Sequence, residues 1–182
     1  MGGVNLERYS QQQWRKSCGV VLQEGFIFSD SIAGNIGIGD EIPDSARIEN
    51  AVNSSNIRSF IESLPLGYAT RIGSDGHGLS TGQKQRILIA RSIYKNPDYL
   101  FFDEATNALD AKNELIIMQN LIQFFKNRTV IVVAHRLSTV KNADQIIVLE
   151  EGVIVEKGTH TELVEEKGVY FKLIKDQLEL GN

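Results

Sequence analysis

Residues 79–110 read LSTGQKQRILIARSIYKNPDYLFFDEATNALD, and the fold can be worked outward from them. Tyr99-Leu100-Phe101-Phe102 is a short apolar run after Pro97 with polar residues on both sides, the pattern of a strand buried on both faces. Asp103 and Glu104 close it. At the carboxyl end of a parallel strand, two acids face the ligand crevice of an open α/β sheet. Carboxylate oxygens suit a hard cation such as Mg²⁺, which brings phosphate ligands with it. A second acid beside a metal ligand suits a base that orients an attacking water. Taken alone, the pair is better read as a charged turn after a strand.

Upstream, Ser80 to Gln83 fits an S-x-x-Q capping box, and Ile87, Leu88, Ala90, Arg91 and Tyr94 recur at helical spacing until Pro97 ends the run. Helix capping explains Ser80 and Gln83 fully. It is also compatible with a site, because a helix start with free N–H groups and a glycine, Gly82, attracts anions.

Together these residues resemble the signature motif, Walker B motif and D-loop of the ATP-binding cassette (ABC) ATPases. Leu79-Ser80-Thr81-Gly82-Gln83 is similar to the signature, usually LSGGQ, and residues 99–103 to Walker B. Asn107-Ala108-Leu109-Asp110 is similar to the D-loop. Val20-Val21-Leu22-Gln23 before Glu24-Gly25-Phe26-Ile27-Phe28 resembles the strand and Q-loop, and residues 129–134 before His135-Arg136-Leu137-Ser138-Thr139 resemble the strand leading to the switch histidine. These motifs together, in the family's order, are far more specific than any one.

The rest of the chain agrees. A length of 182 residues supports one substantial core, and 42% apolar with 23% charged residues is ordinary globular usage. The net charge of −4 gives no reason to propose nucleic-acid binding. The single cysteine, Cys18, excludes an internal disulfide and reads as a packed core thiol in a reducing compartment. No run is long and apolar enough for a membrane span or signal peptide, so direct membrane insertion by this chain is not expected.

Residues 10–16, 46–53, 57–64, 114–125, 161–166 and 170–178 read as helices, and 19–22, 99–102, 130–133, 145–149 and 153–155 as strands. The last two strands form a hairpin around Glu150-Glu151-Gly152, and 73–78 is a glycine-rich loop. Residues 24 to about 70 carry only helical signals. In 114–125, Leu115, Met118, Ile122 and Phe125 share one face. Strands alternating with helices predict an α/β parallel sheet. His77 and His160 read as locally satisfied side chains, and no zinc-type spacing links the three histidines.

The resemblance implies a P-loop NTPase-like (RecA-like) sheet core with an inserted helical subdomain. It divides the chain into a core remnant ending at the Q-loop (1–23), a helical subdomain with the signature (24–97), and a catalytic core (98–182). It implies ATP and Mg²⁺ as cofactors, with Asp103 and Gln23 on the metal, Glu104 as base, and His135 on the γ-phosphate. Ser80, Gly82 and Gln83 are expected to act on the nucleotide of a second, head-to-tail ABC domain, with Asp110 in the dimer contact region or simply capping the next helix. Residues 134–139 and 158–163 look like the exporter type, which implies a transmembrane-domain partner and the cytoplasmic face of a bacterial plasma membrane. Residues 72–80 and 93–97 are similar to peptide or bacteriocin exporters.

Two features depart from the family pattern. Thr81 replaces a signature glycine, and Ser74 stands where exporters often have a glutamate that senses the transmembrane domain. A larger difference is that no Gly-Lys pair occurs in the chain, so there is no G-x-x-x-x-G-K-[ST] (Walker A) loop to cradle phosphates. The resemblance starts downstream of that loop. The chain is therefore expected to be incomplete at its N-terminus and, alone, to fold poorly or bind ATP weakly. Three classes follow: the ATPase portion of an exporter; a non-catalytic module that lends its signature to a partner; and a soluble ABC ATPase of DNA repair or translation, which the exporter-like 135–139 region disfavours.

Overall fold

The computed structural model describes residues 5–105, 109–133 and 137–180. They form two compact units, 1–133 and 134–182. The first is built around a three-stranded parallel sheet in the order β1 (Cys18–Val21), β4 (Tyr99–Asp103), β5 (Thr129–Val133). Before β1 lies α1 (Gln11–Ser17), whose Trp14 ring sits 5.1 Å from that of Tyr99. Between β1 and β4 come β2 (Asp30–Ser31), α2 (Ile32–Ile36), α3 (Ser45–Ser54), α4 (Arg58–Ser63), β3 (Arg71–Ile72) and α5 (Thr81–Lys95). Helix α6 (Ala111–Phe125) then connects β4 to β5, the crossover a parallel pair requires.

Burial alternates along the sheet. Val21, Leu100 and Phe102 enter one core with Ile87, Ile89 and Ile93 of α5 and with Ile117 and Leu121 of α6. Each such side chain contributes about 1.5–3 kcal/mol on burial. The expectation that the Tyr99–Phe102 run is buried on both faces is corrected. Tyr99 and Phe101 are only half-buried, and Val20, Ile131 and Val133 are exposed, so one face of the sheet carries the core.

Two further expectations change. Residues 24–70 are not wholly helical, because Asp30–Ser31 pairs antiparallel with Arg71–Ile72. Two-residue strands are too short to show a period of two. In α6 the buried positions are Ile117, Leu121 and Glu114, while Leu115 and Ile122 are exposed. Apolar residues lie nearly all round this helix, so periodicity alone could not choose the face that meets β4.

The second unit holds α7 (Leu137–Val140), the hairpin of β6 (Ile146–Glu150) and β7 (Val153–Gly158), α8 (His160–Glu166) and α9 (Val169–Leu180). Glu151 (φ 50°) and Gly152 (φ 81°) turn the hairpin as expected of a tight turn with two positive φ angles. Ile146, Val148, Leu163, Tyr170 and Ile174 form its own small core. Both Glu156 carboxylate oxygens accept backbone N–H groups at the start of α9, from Val169 and from Tyr170. Among the described residues no helix is long and apolar enough to cross a membrane.

Candidate functional site

Helix α5 starts where Ser80, in the extended region (φ −65°, ψ 158°), turns the chain. Ser80 Oγ accepts from the Gln83 N–H at 3.2 Å, and the Ser80 N–H donates to Gln83 Oε1 at 2.8 Å. The capping box expected from spacing is therefore formed. The Lys84 N–H bonds the Ser80 carbonyl at 2.9 Å, so the intrahelical ladder begins there. That leaves the N–H groups of Thr81 and Gly82 facing out at the positive end of a 15-residue helix. Two such donors fit an anionic oxygen. Thr81 is the first helical residue and is exposed, so its branched side chain crowds nothing.

At the sheet, Asp103 is exposed at the end of β4, opposite Val133. Glu104 follows with φ 48°, and its N–H donates to the Val133 carbonyl at 3.0 Å. The other described non-glycine residues with positive φ follow a helix or turn a hairpin: Asn56, Asn96, Asn127, Glu151 and Lys167. Glu104 instead holds a left-handed conformation at a strand end, the sort of strain that marks functional positions. Strand β1 ends with Val21 opposite Phe102, and Gln23 follows two residues later, so it lies just beyond the carboxyl end of β1 as Asp103 and Glu104 lie at that of β4. Gln23 is exposed. Gln23, Asp103 and Glu104 thus share the carboxyl edge of the sheet.

These side chains supply carboxylate and amide oxygens, and the described residues include no cluster of three His, Cys, Asp or Glu that could enclose a metal. Oxygen donors of this kind suit a hard cation such as Mg²⁺. Asp110 caps α6, its Oδ1 accepting from the Asn113 N–H at 3.0 Å. His135, Asn107 and Ala108 lie outside the described residues.

Three residues that the sequence reading did not single out for the site hold it together. Buried Gln85 donates from its side-chain amide to the Leu22 carbonyl at 3.4 Å, one residue before Gln23. Arg91 donates to the Phe26 carbonyl at 2.8 Å, to the Asn35 carbonyl at 2.8 Å and to Asn35 Oδ1 at 3.0 Å. Its guanidinium also lies over the Phe28 ring, and burial lowers its pKa to about 10. Asn35, fully buried, bonds both the N–H and the carbonyl of Phe28 at 2.9 Å. Between these contacts Gly25 packs against Leu88, where an added Cβ would come within 2.3 Å of Leu88 Cδ1. Positions 85, 88 and 91 lie along one face of α5. The signal was present in the sequence: Arg91 is a charged residue that recurs in step with the apolar positions of its helix.

Comparisons with known proteins point to one family. The family model described as ABC transporter matches residues 1–107. An ABC transporter B family member 2 from Dictyostelium discoideum is 45% identical over 177 residues, covering 97% of this chain and 13% of that protein. An ATP-dependent lipid A-core flippase from Saccharophagus degradans is 45% identical over 175 residues, covering 96% of this chain and 30% of that protein. A solved structure of a bacterial Atm1-family ABC exporter with ATP bound superposes with a TM-score of 0.92 at 38% identity, over 97% of this chain and 31% of that one. The chain thus spans less than a third of the length of these relatives.

Proposed function

This chain belongs to the ABC transporter family, and from that premise we propose that it is the ATP-binding and ATP-hydrolysing part of an exporter, working head-to-tail with a second ABC domain beneath a transmembrane domain. The observation that carries this reading is the common sheet edge of Gln23, Asp103 and Glu104, tied through Gln85 to the helix that starts at Ser80. In this reading residues 1–23 and 98–182 belong to the nucleotide core and 24–97 to a helical subdomain with the signature.

ATP with Mg²⁺, when bound, supplies an activated phosphoryl group and charge neutralisation. Asp103 and Gln23 would hold the metal through oxygen. Glu104 orients and deprotonates a water, and His135 contacts the terminal phosphate. Ser80, the N–H groups of Thr81 and Gly82, and Gln83 bind phosphate oxygens of the partner's nucleotide. Asp110 stands in the contact between domains. The exporter setting puts the chain at the cytoplasmic face of a membrane, bacterial in the closest reading of its motifs. Residues 72–80 and 93–97 support a peptide or bacteriocin-like cargo.

One feature favours a second reading. No Gly-Lys pair occurs in these residues, so in this second reading they supply no phosphate-cradling loop and serve as a donor of the signature to a partner's site. ATP titration with phosphate release separates the two. Hydrolysis only in the presence of a Walker A-bearing ABC domain supports donation in trans. Appreciable turnover by the chain alone would refute the expected impairment.

A further inference from the structure

The start of α5 and the start of α6 are joined by a chain of polar contacts through a third segment. Arg86 donates from Nε to the Gly82 carbonyl at 3.3 Å and from Nη1 to the Asn56 carbonyl at 2.8 Å. Asn56 Nδ2 donates to Asn113 Oδ1 at 2.9 Å, and Asn113 Nδ2 donates to Asp110 Oδ2 at 2.6 Å. Arg86 donates outward to both Gly82 and Asn56, and the Asn113 amide accepts at Oδ1 while donating from Nδ2, so the last two bonds polarise one another. Asn56 adopts φ 53° at the end of α3, where asparagine tolerates the left-handed region, and this turns its carbonyl to Arg86 and its amide to α6.

We infer that Asn56 and Asn113 are positioning residues that couple Asp110 to Gly82, so that the cap of α6 and the phosphate-facing end of α5 hold one fixed relation. The inference rests on the proposed roles of Gly82 and Asp110. Two observations support it. Arg86 is half-buried, with its charge opposed by desolvation and favoured by Asp110, so the two ends of the network interact. Seven residues along α6 from Asn113, Asn120 separately bonds the Ser54 carbonyl at 3.2 Å and the Asn53 carbonyl at 3.4 Å. Helix α6 is therefore docked on α3 without the Asn56–Asn113 contact, which leaves that contact free to serve the site.

The test uses the full chain as Asn56→Gly, Asn113→Ala and the double variant. Glycine keeps the positive φ while deleting the bridging amide. Exchange of the backbone amides at positions 83 and 113 should quicken in each single variant, with no further change in the double. Steady-state hydrolysis in the presence of a Walker A-bearing ABC domain should show kcat lowered roughly tenfold with KM for ATP unchanged. Faster exchange at Asn113 with residues 81–84 unaffected, or additive effects in the double variant, would overturn the coupling. If Asn56→Gly fails to fold, Asn113→Ala carries the same comparison, since alanine suits the first turn of a helix. If the wild-type chain stimulates no hydrolysis, the functional reading fails while the exchange result still decides the coupling.

Discussion

The Arg91 guanidinium of α5 donates to the carbonyl oxygen of Phe26 at 2.8 Å, binding the helix that carries Ser80 to the segment that follows Gln23. The same group satisfies Asn35, which in turn holds Phe28 by its N–H and carbonyl. One cation therefore fixes the path of a segment with little regular structure of its own.

Replacing Arg91 with methionine keeps the length and apolar stem but leaves the Phe26 and Asn35 carbonyls without their donor. Loss of about 2–4 kcal/mol is expected, because hydrogen bonds to a charged group are lost and buried acceptors are stranded. Arg91→Lys should recover only part of this, since an ammonium cannot span the fork of partners. Urea denaturation checks it: the midpoint falls with an unchanged slope.

Ser80→Ala removes the acceptor for the Gln83 N–H and opens the capping box. The expected cost is about 1 kcal/mol, or a drop of about 2–4 °C in Tm. Ser80→Asp should restore the cap and the melting temperature. It should not restore partner-stimulated ATP hydrolysis, because a carboxylate there repels phosphate. Calorimetry and phosphate release together separate the helix-capping role of Ser80 from its proposed binding role.

Glu104 shows the opposite trade. Its φ of 48° is costly for any side chain except glycine. Glu104→Gly should stabilise the fold by about 0.5–1 kcal/mol while abolishing partner-dependent hydrolysis. Glu104→Gln keeps the strain and loses only the proposed base, so it should leave Tm unchanged and hydrolysis at least about 100-fold lower. Thermal melts paired with single-turnover assays read both outcomes.

Tyr68 provides a pH prediction. Burial, and then its 2.8 Å hydrogen bond to Glu49, raise its pKa to about 12. A raised folded-state pKa means that the neutral phenol is favoured in the fold. Its contribution to stability is complete below the unfolded value of about 10 and fades as pH rises toward 12. Burial also raises Tyr94 and Tyr170, so ultraviolet titration should lose one late-ionising tyrosine in Tyr68→Phe while those two remain. The variant should also show a smaller fall in Tm over that alkaline range.

Much of the site was legible because its signals are local. Ser80 and Gln83 lie three residues apart, as do Asp110 and Asn113, and both caps are formed. Pro97 marked the end of α5, which closes at Lys95 with Asn96 in the left-handed region. Asp103 and Glu104 were read at the end of an apolar run, and the strand ends there. The two-residue β2–β3 pair escaped notice because two positions show no period. The buried face of α6 escaped because Leu115, Ile117, Met118, Leu121 and Ile122 offer more than one apolar stripe.

By itself, the sequence determined the family, the capped helix, the acidic strand end and the alternation of helix and strand. Each depends on contacts within a few residues or on motifs in a characteristic order. Only the tertiary structure decided which polar side chains join those pieces. Gln85 meets Leu22, Arg91 meets Phe26 and Asn35, and Asn56 meets Asn113 across separations that no local spacing encodes. In sequence such residues look like ordinary polar side chains facing water. They become specific when folding buries a backbone carbonyl or side-chain amide that must then find a partner. The Leu79–Asp110 stretch names the chemistry, and the partners that hold its two ends in place come from residues 22–56 and 113.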